Sequence, residues 1–135
     1  AFWLGTAGWA IALAGDWERG ARLILNGFEL NPFHPGWHHY PLFINHYRQG
    51  EYEKALAEAQ QFNLPDYFWS PMLFAAAYGQ LGLVANAEQS IGELLSLNPD
   101  FADRPGFYIG NYVFEDEVVE HIVAGLAKAG LDIPE

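Results

Sequence analysis

A chain of 135 residues with 51% apolar content is long enough to bury one core, which excludes a disordered tail. Six basic residues against seventeen acidic ones give a net charge of −11, so no nucleic acid partner is expected, whereas a basic peptide or protein would be attracted. The absence of cysteine removes disulfides, thiolate catalysis and cysteine-based zinc sites.

The first helices are expected near 2–14 and 17–30. The opening stretch carries no charge before Asp16, but it is shorter than the roughly 20 residues a membrane span needs and lacks the positive start of a signal peptide. No membrane association is expected, and a cytoplasmic location is. Because the sequence does not begin with Met, we read it as part of a longer protein. Its uncharged first helix would then pack on an upstream hairpin, or on a second copy in a two-fold dimer when that hairpin is missing. In the second helix Gly20, Leu23, Ile24 and Gly27 share one face.

After Pro32 and Pro35, helices are expected near 36–48 and 51–62, with Ala55, Ala59 and Phe62 inward and Pro65 closing the unit. The next pair is expected near 67–80 and 84–96, with Ala87, Ile91 and Leu94 inward, and Pro99 ends it. Arg104-Pro105-Gly106 then breaks the chain before a short apolar segment, Phe107 to Val113. A last amphipathic helix is expected near 115–129. Its acids Glu115, Asp116 and Glu117 at the start and Lys128 near the end suit the helix dipole.

A repeat organises these elements. Gly15-Asp16-Trp17, Gly50-Glu51-Tyr52 and Gly82-Leu83-Val84 recur at separations of 35 and 32 residues, and Leu30-Asn31-Pro32 returns as Leu97-Asn98-Pro99 after 67. One hairpin of this size cannot bury its apolar face alone, so copies must stack. The expected fold is all-α: three helical hairpins over about 1–33, 34–65 and 66–99, followed by a C-terminal capping segment over 100–135. Gly20, Ala55 and Ala87 should hold equivalent close-contact positions.

The period, the paired helices, the glycine between them and the terminal proline resemble the tetratricopeptide repeat. Leu4, Ala7, Gly8 and Ile11 with Gly20, Ile24 and Pro32 match its pattern in the first unit, and Phe74, Ala75 and Tyr78 with Ala87, Ile91 and Pro99 in the third. The second unit departs most, with Phe43 where the motif favours a small residue. The resemblance implies a right-handed α-α superhelix that binds peptides or proteins on a concave face lined by the first helix of each hairpin. Residues 31–37 and 125–131 also look like the C-terminal repeat arrays fused to bacterial class III cyclases or winged-helix regulators, which implies a regulatory or scaffold role beside an upstream output domain.

Chemistry-bearing residues are sparse. His34, His38, His39 and His46 could gather on a metal ion, but their spacing favours histidines that pack or hydrogen-bond within the second hairpin, and a metallohydrolase would also need a convergent carboxylate. His121 reads as a surface or packing residue of the last helix. Glu115, Asp116, Glu117 and Glu120 read as helix-start and solvated acids rather than a cation site, since EF-hand spacing is missing. No nucleophile elbow, phosphate loop or H-E-x-x-H motif is present, so no enzyme and no cofactor are expected. The aromatic residues, 16% of the chain, remain. Repeat register puts Phe2, Trp9, Trp37, Tyr40, Ile44, Tyr47, Trp69 and Met72 on or near the concave face, as a groove for a peptide or protein or, alternatively, for a small molecule sensed there. The competing reading packs these rings between hairpins.

Overall fold

In a computed structural model the chain is described over residues 2–62, 64, 66–111, 113 and 115–134. Pro65, the expected end of the second unit, and the side chain of Phe2 lie outside the described residues. Eight α-helices occur among these residues, and no strand. They are α1 (Phe2–Leu13), α2 (Trp17–Leu30), α3 (Tyr40–Arg48), α4 (Tyr52–Phe62), α5 (Trp69–Leu81), α6 (Val84–Leu97), α7 (Pro105–Gly110) and α8 (Asp116–Lys128), with single 3-10 turns at Gly36–His39 and Phe101–Asp103.

The helices pack as sequential pairs, α1 on α2, α3 on α4 and α5 on α6, because each pair is joined by the same tight turn. Gly15, Gly50 and Gly82 all have positive φ, at 111°, 78° and 72°, a conformation a side chain would strain. The hydrogen bonds repeat with them. The glycine N–H donates to the carbonyl three residues back, and the following N–H donates to the carbonyl five residues back: Asp16 to Ile11, Glu51 to His46, Leu83 to Tyr78. This closes the last turn of each first helix. Three residues into each second helix come Gly20, Ala55 and Ala87, all buried. A Cβ on Gly20 would stand 2.5 Å from the backbone nitrogen of Ala12.

The second helices end alike. Asn31 and Asn98, each before a proline that disfavours the helical region, take φ near −140° and donate their N–H to Gly27 and Leu94.

Helix α5 is apolar on all sides and almost wholly buried, because it lies against α4, α6 and α8 at once. Three placements differ from the expectations. Residues 105–110 form a helix instead of following a break, since proline also favours the first helical position. The second pair opens on a 3-10 turn, so that α3 proper starts at Tyr40. And α8 does more than cover the last pair: Tyr47 of α3 donates to the His121 carbonyl at 2.8 Å, and Trp17 Nε1 donates to Glu115 at 2.6 Å. The final helix ties the first, second and third pairs together.

Candidate functional site

Every element up to α5 except α2 contributes a side chain to one aromatic pocket. Trp9 comes from α1, Trp37 from the 3-10 turn, Tyr40 from the start of α3, Phe62 from the end of α4, Leu64 and Tyr67 from the α4–α5 connection, and Trp69 from the start of α5. The cavity measures about 210 Å³. Its rings cross rather than stack: Trp9 meets Trp37 at 5.9 Å and 86°, and Tyr40 meets Trp69 at 5.6 Å and 76°. Tyr40 and Trp69 form its buried floor, Trp9 and Trp37 are half-buried, and Leu64 and Tyr67 make an exposed rim.

Of the residues expected along a concave groove, Trp9, Trp37, Tyr40 and Trp69 meet here. Ile44, Tyr47 and Met72 do not; each has no exposed surface and belongs to the core. For Tyr47 the reason is plain, because α8 lies across α3 and the phenol is spent between the His121 carbonyl and Gln80. Phe62, Leu64 and Tyr67 line the pocket without having been expected there. Phe62 has a sequence signal only as an inward residue of its helix, and Tyr67 only as part of the aromatic run Tyr67-Phe68-Trp69 at a helix start.

A polar cluster gathers around His34 and His39. His34 stacks on Phe28 at 3.6 Å, with Nδ1 at 3.1 Å from the Asn31 carbonyl, Nε2 at 2.8 Å from His39 Nε2, and His39 Nδ1 at 2.5 Å from Glu58. The ring nitrogens are thus engaged with protein partners, and Glu58 sits on the far side of His39 from His34. Among the described residues no three His, Asp or Glu side chains are placed to hold a metal ion.

The remaining histidines are scattered. His46 pairs with Glu51 at 3.1 Å; that hydrogen bond first, and Lys54 second, hold the Glu51 carboxyl below its usual range. His121 shares a 2.8 Å hydrogen bond with the Tyr52 hydroxyl. His38 is enclosed under α1, where a Cβ on Gly5 would lie 2.6 Å from its ring. Burial pushes His38 and His121 below the ordinary 6.5, so both stay neutral in the fold when the unfolded chain would already protonate. The unfolded state then binds more protons, and stability contributed by this neutrality is lost as pH falls below about 6.5. We expect the urea midpoint to drop between pH 6.5 and 5 and the drop to shrink in a His38→Gln variant; an equal drop in both would remove His38 as its source.

Among the acids, Glu115 takes the N-cap position of α8 and accepts from Trp17, while Asp116 and Glu117 occupy the first turn. No helix among the described residues is long and apolar enough to cross a membrane. No protein-family model matches this chain, and no curated protein matches it either.

Proposed function

We propose that the chain is a non-enzymatic peptide- or protein-binding module of the tetratricopeptide kind, with three hairpins in a right-handed solenoid and α8 as its cap. The observation that carries this reading is the aromatic pocket, to which all three helix pairs contribute and which, among the described residues, has no nucleophile or acid–base pair in its lining. Its size argues for the grip of one side chain. Ligand sites for whole small molecules run to roughly 300–1,000 Å³, so about 210 Å³ favours a peptide anchor over the alternative of a metabolite sensor. The resemblance to repeat arrays of bacterial signalling proteins supports a role for such a module as the C-terminal regulatory part of a longer cytoplasmic protein.

Blocked Gly-X-Gly tripeptides, with X spanning Trp, Phe, Leu, Lys, trimethyllysine and Asp, provide the test. At least one should shift the indole N–H resonances of Trp9, Trp37 or Trp69, and the shift should disappear in Trp9→Ala. No shift for any X would remove the pocket as a binding site.

Self-association through the first hairpin is a further part of the proposal. Trp3, Leu25, Leu30 and Phe33 leave 78%, 51%, 69% and 92% of their surface exposed, an apolar density not matched by charge on α1. Sedimentation should give a concentration-dependent dimer that Trp3→Gln and Phe33→Gln together dissociate. A monomer at high micromolar concentration would count against it.

A further inference from the structure

We propose that the group gripped by this pocket is a trimethylammonium, presented as the side chain of an N-trimethylated lysine in a basic peptide. The inference rests on the reading of the chain as a peptide-binding module and adds the chemistry of the anchor.

Shape comes first. With ring pairs crossing at 86° and 76°, a flat guest can stack on only one wall, whereas a compact round group touches several rings at once. The volume of about 210 Å³ exceeds the ~150 Å³ cavities that accept benzene and leaves room for a quaternary head with the start of its stem.

Charge selects among round groups. Aromatic faces carry negative potential and attract cations, tryptophan most strongly, and among the described residues three of the seven that line the pocket are tryptophan. None of the six Lys and Arg side chains lines the pocket. The nearest imidazole, His38 at 4.2 Å from the Trp37 ring, is kept neutral by burial. An anion would find no cationic partner there. The overall charge of −11 draws cations toward the surface.

Hydrogen bonding selects among cations. A primary ammonium carries three N–H donors and is strongly hydrated, and among the described residues the lining offers it no carboxylate. A trimethylammonium has no N–H to satisfy and buries three methyl groups against the rings.

The peptide source follows from the pocket mouth. Leu64 and Tyr67 leave 38% and 39% of their surface at the rim, so a stem can lead outward, and the exposed Asp66 stands beside that rim for a flanking basic residue.

The test uses the full chain and the probe peptide acetyl-Gly-Lys-Ala-X-Ala-Lys-Gly-amide, read by tryptophan fluorescence and indole N–H shifts. X is trimethyllysine, lysine, or the neutral isostere with a tert-butyl group in place of the quaternary nitrogen, one lysine being added to keep peptide charge constant. Trimethyllysine should bind at least about tenfold tighter than either comparison. Trp9→Leu keeps an apolar wall without the π face and should remove most of that preference while leaving the isostere within about twofold; Tyr67→Leu on the exposed rim gives the same reading should Trp9→Leu fail to fold. Equal binding of trimethyllysine and its isostere overturns the cation assignment yet leaves a peptide site standing. Free choline binding as tightly as the peptide overturns the peptide source. Silence from all these peptides and from the Gly-X-Gly series overturns the binding module itself.

Discussion

Gly79→Ala is expected to destabilise the protein by about 3 kcal/mol or more, although alanine is the better helix former by about 1 kcal/mol. Helices α5 and α8 meet backbone to backbone at Gly79 and Gly125. A Cβ on Gly79 would run into the carbonyl oxygen of Gly125 and stand 2.8 Å from the backbone nitrogen of Ala129. One on Gly125 would run into the Tyr47 hydroxyl and stand 2.9 Å from the Ala76 carbonyl. No rotamer change relieves a clash between two helix backbones, so α8 must move off α5 and uncover Leu126, Ile122 and Tyr47, all without exposed surface in the fold. Gly92 is the control. It sits mid-helix in α6, and a Cβ added there would meet nothing within 4 Å, so Gly92→Ala should stabilise by roughly 0.5–1 kcal/mol. Urea midpoints of the two variants should move in opposite directions; movement of both upward would overturn the close contact of α5 with α8.

The turns are legible in the sequence because each rests on local chemistry. A glycine that must take positive φ, an asparagine held extended before proline and a small residue three positions into a helix all leave marks there, and these marks predict the limits of α2, α4 and α6 to within about two residues. What α8 touches is not legible. Its amphipathic pattern specifies an apolar face but not the neighbour that receives it, and the small residues that decide the matter, Gly79 and Gly125, lie 46 positions apart. The pocket eludes sequence in the same way. Trp9, Trp37, Tyr40 and Trp69 follow from repeat register, but register alone extends the groove to Ile44, Tyr47 and Met72, which the tertiary packing buries. Phe62 reads as an inner-stripe residue, and Leu64 and Tyr67 belong to a connection without periodicity. His34 and His39 do not stand out as a pair because His34 precedes the helical turn, where helical spacing rules do not apply.

Tyr47 should be the most costly single side chain to remove on the α3–α8 contact, and its hydroxyl makes the cost depend on pH. The ring has no exposed surface and packs against Phe43, Tyr52 and His121 at 5.7, 5.2 and 4.5 Å. Tyr47→Ala leaves that volume empty and should cost about 3–5 kcal/mol, as large aromatic truncations do. Tyr47→Phe keeps the ring but abandons the donor to the His121 carbonyl and the acceptor of the Gln80 amide, both partly buried, at about 1–3 kcal/mol. Burial holds the phenol protonated well above its ordinary value of 10.0, an effect that the Gln80 hydrogen bond only partly offsets. Above pH 10 the unfolded chain therefore loses a proton that the native chain keeps. Stability must fall as pH rises past 10, by up to about 1.4 kcal/mol per unit from this one group. The parent and the Tyr47→Phe variant share every other tyrosine, so the difference between the two isolates Tyr47. The gap measured by urea unfolding at pH 8 should narrow by pH 11; a gap that stays constant would show that the hydroxyl titrates as freely in the fold as out of it.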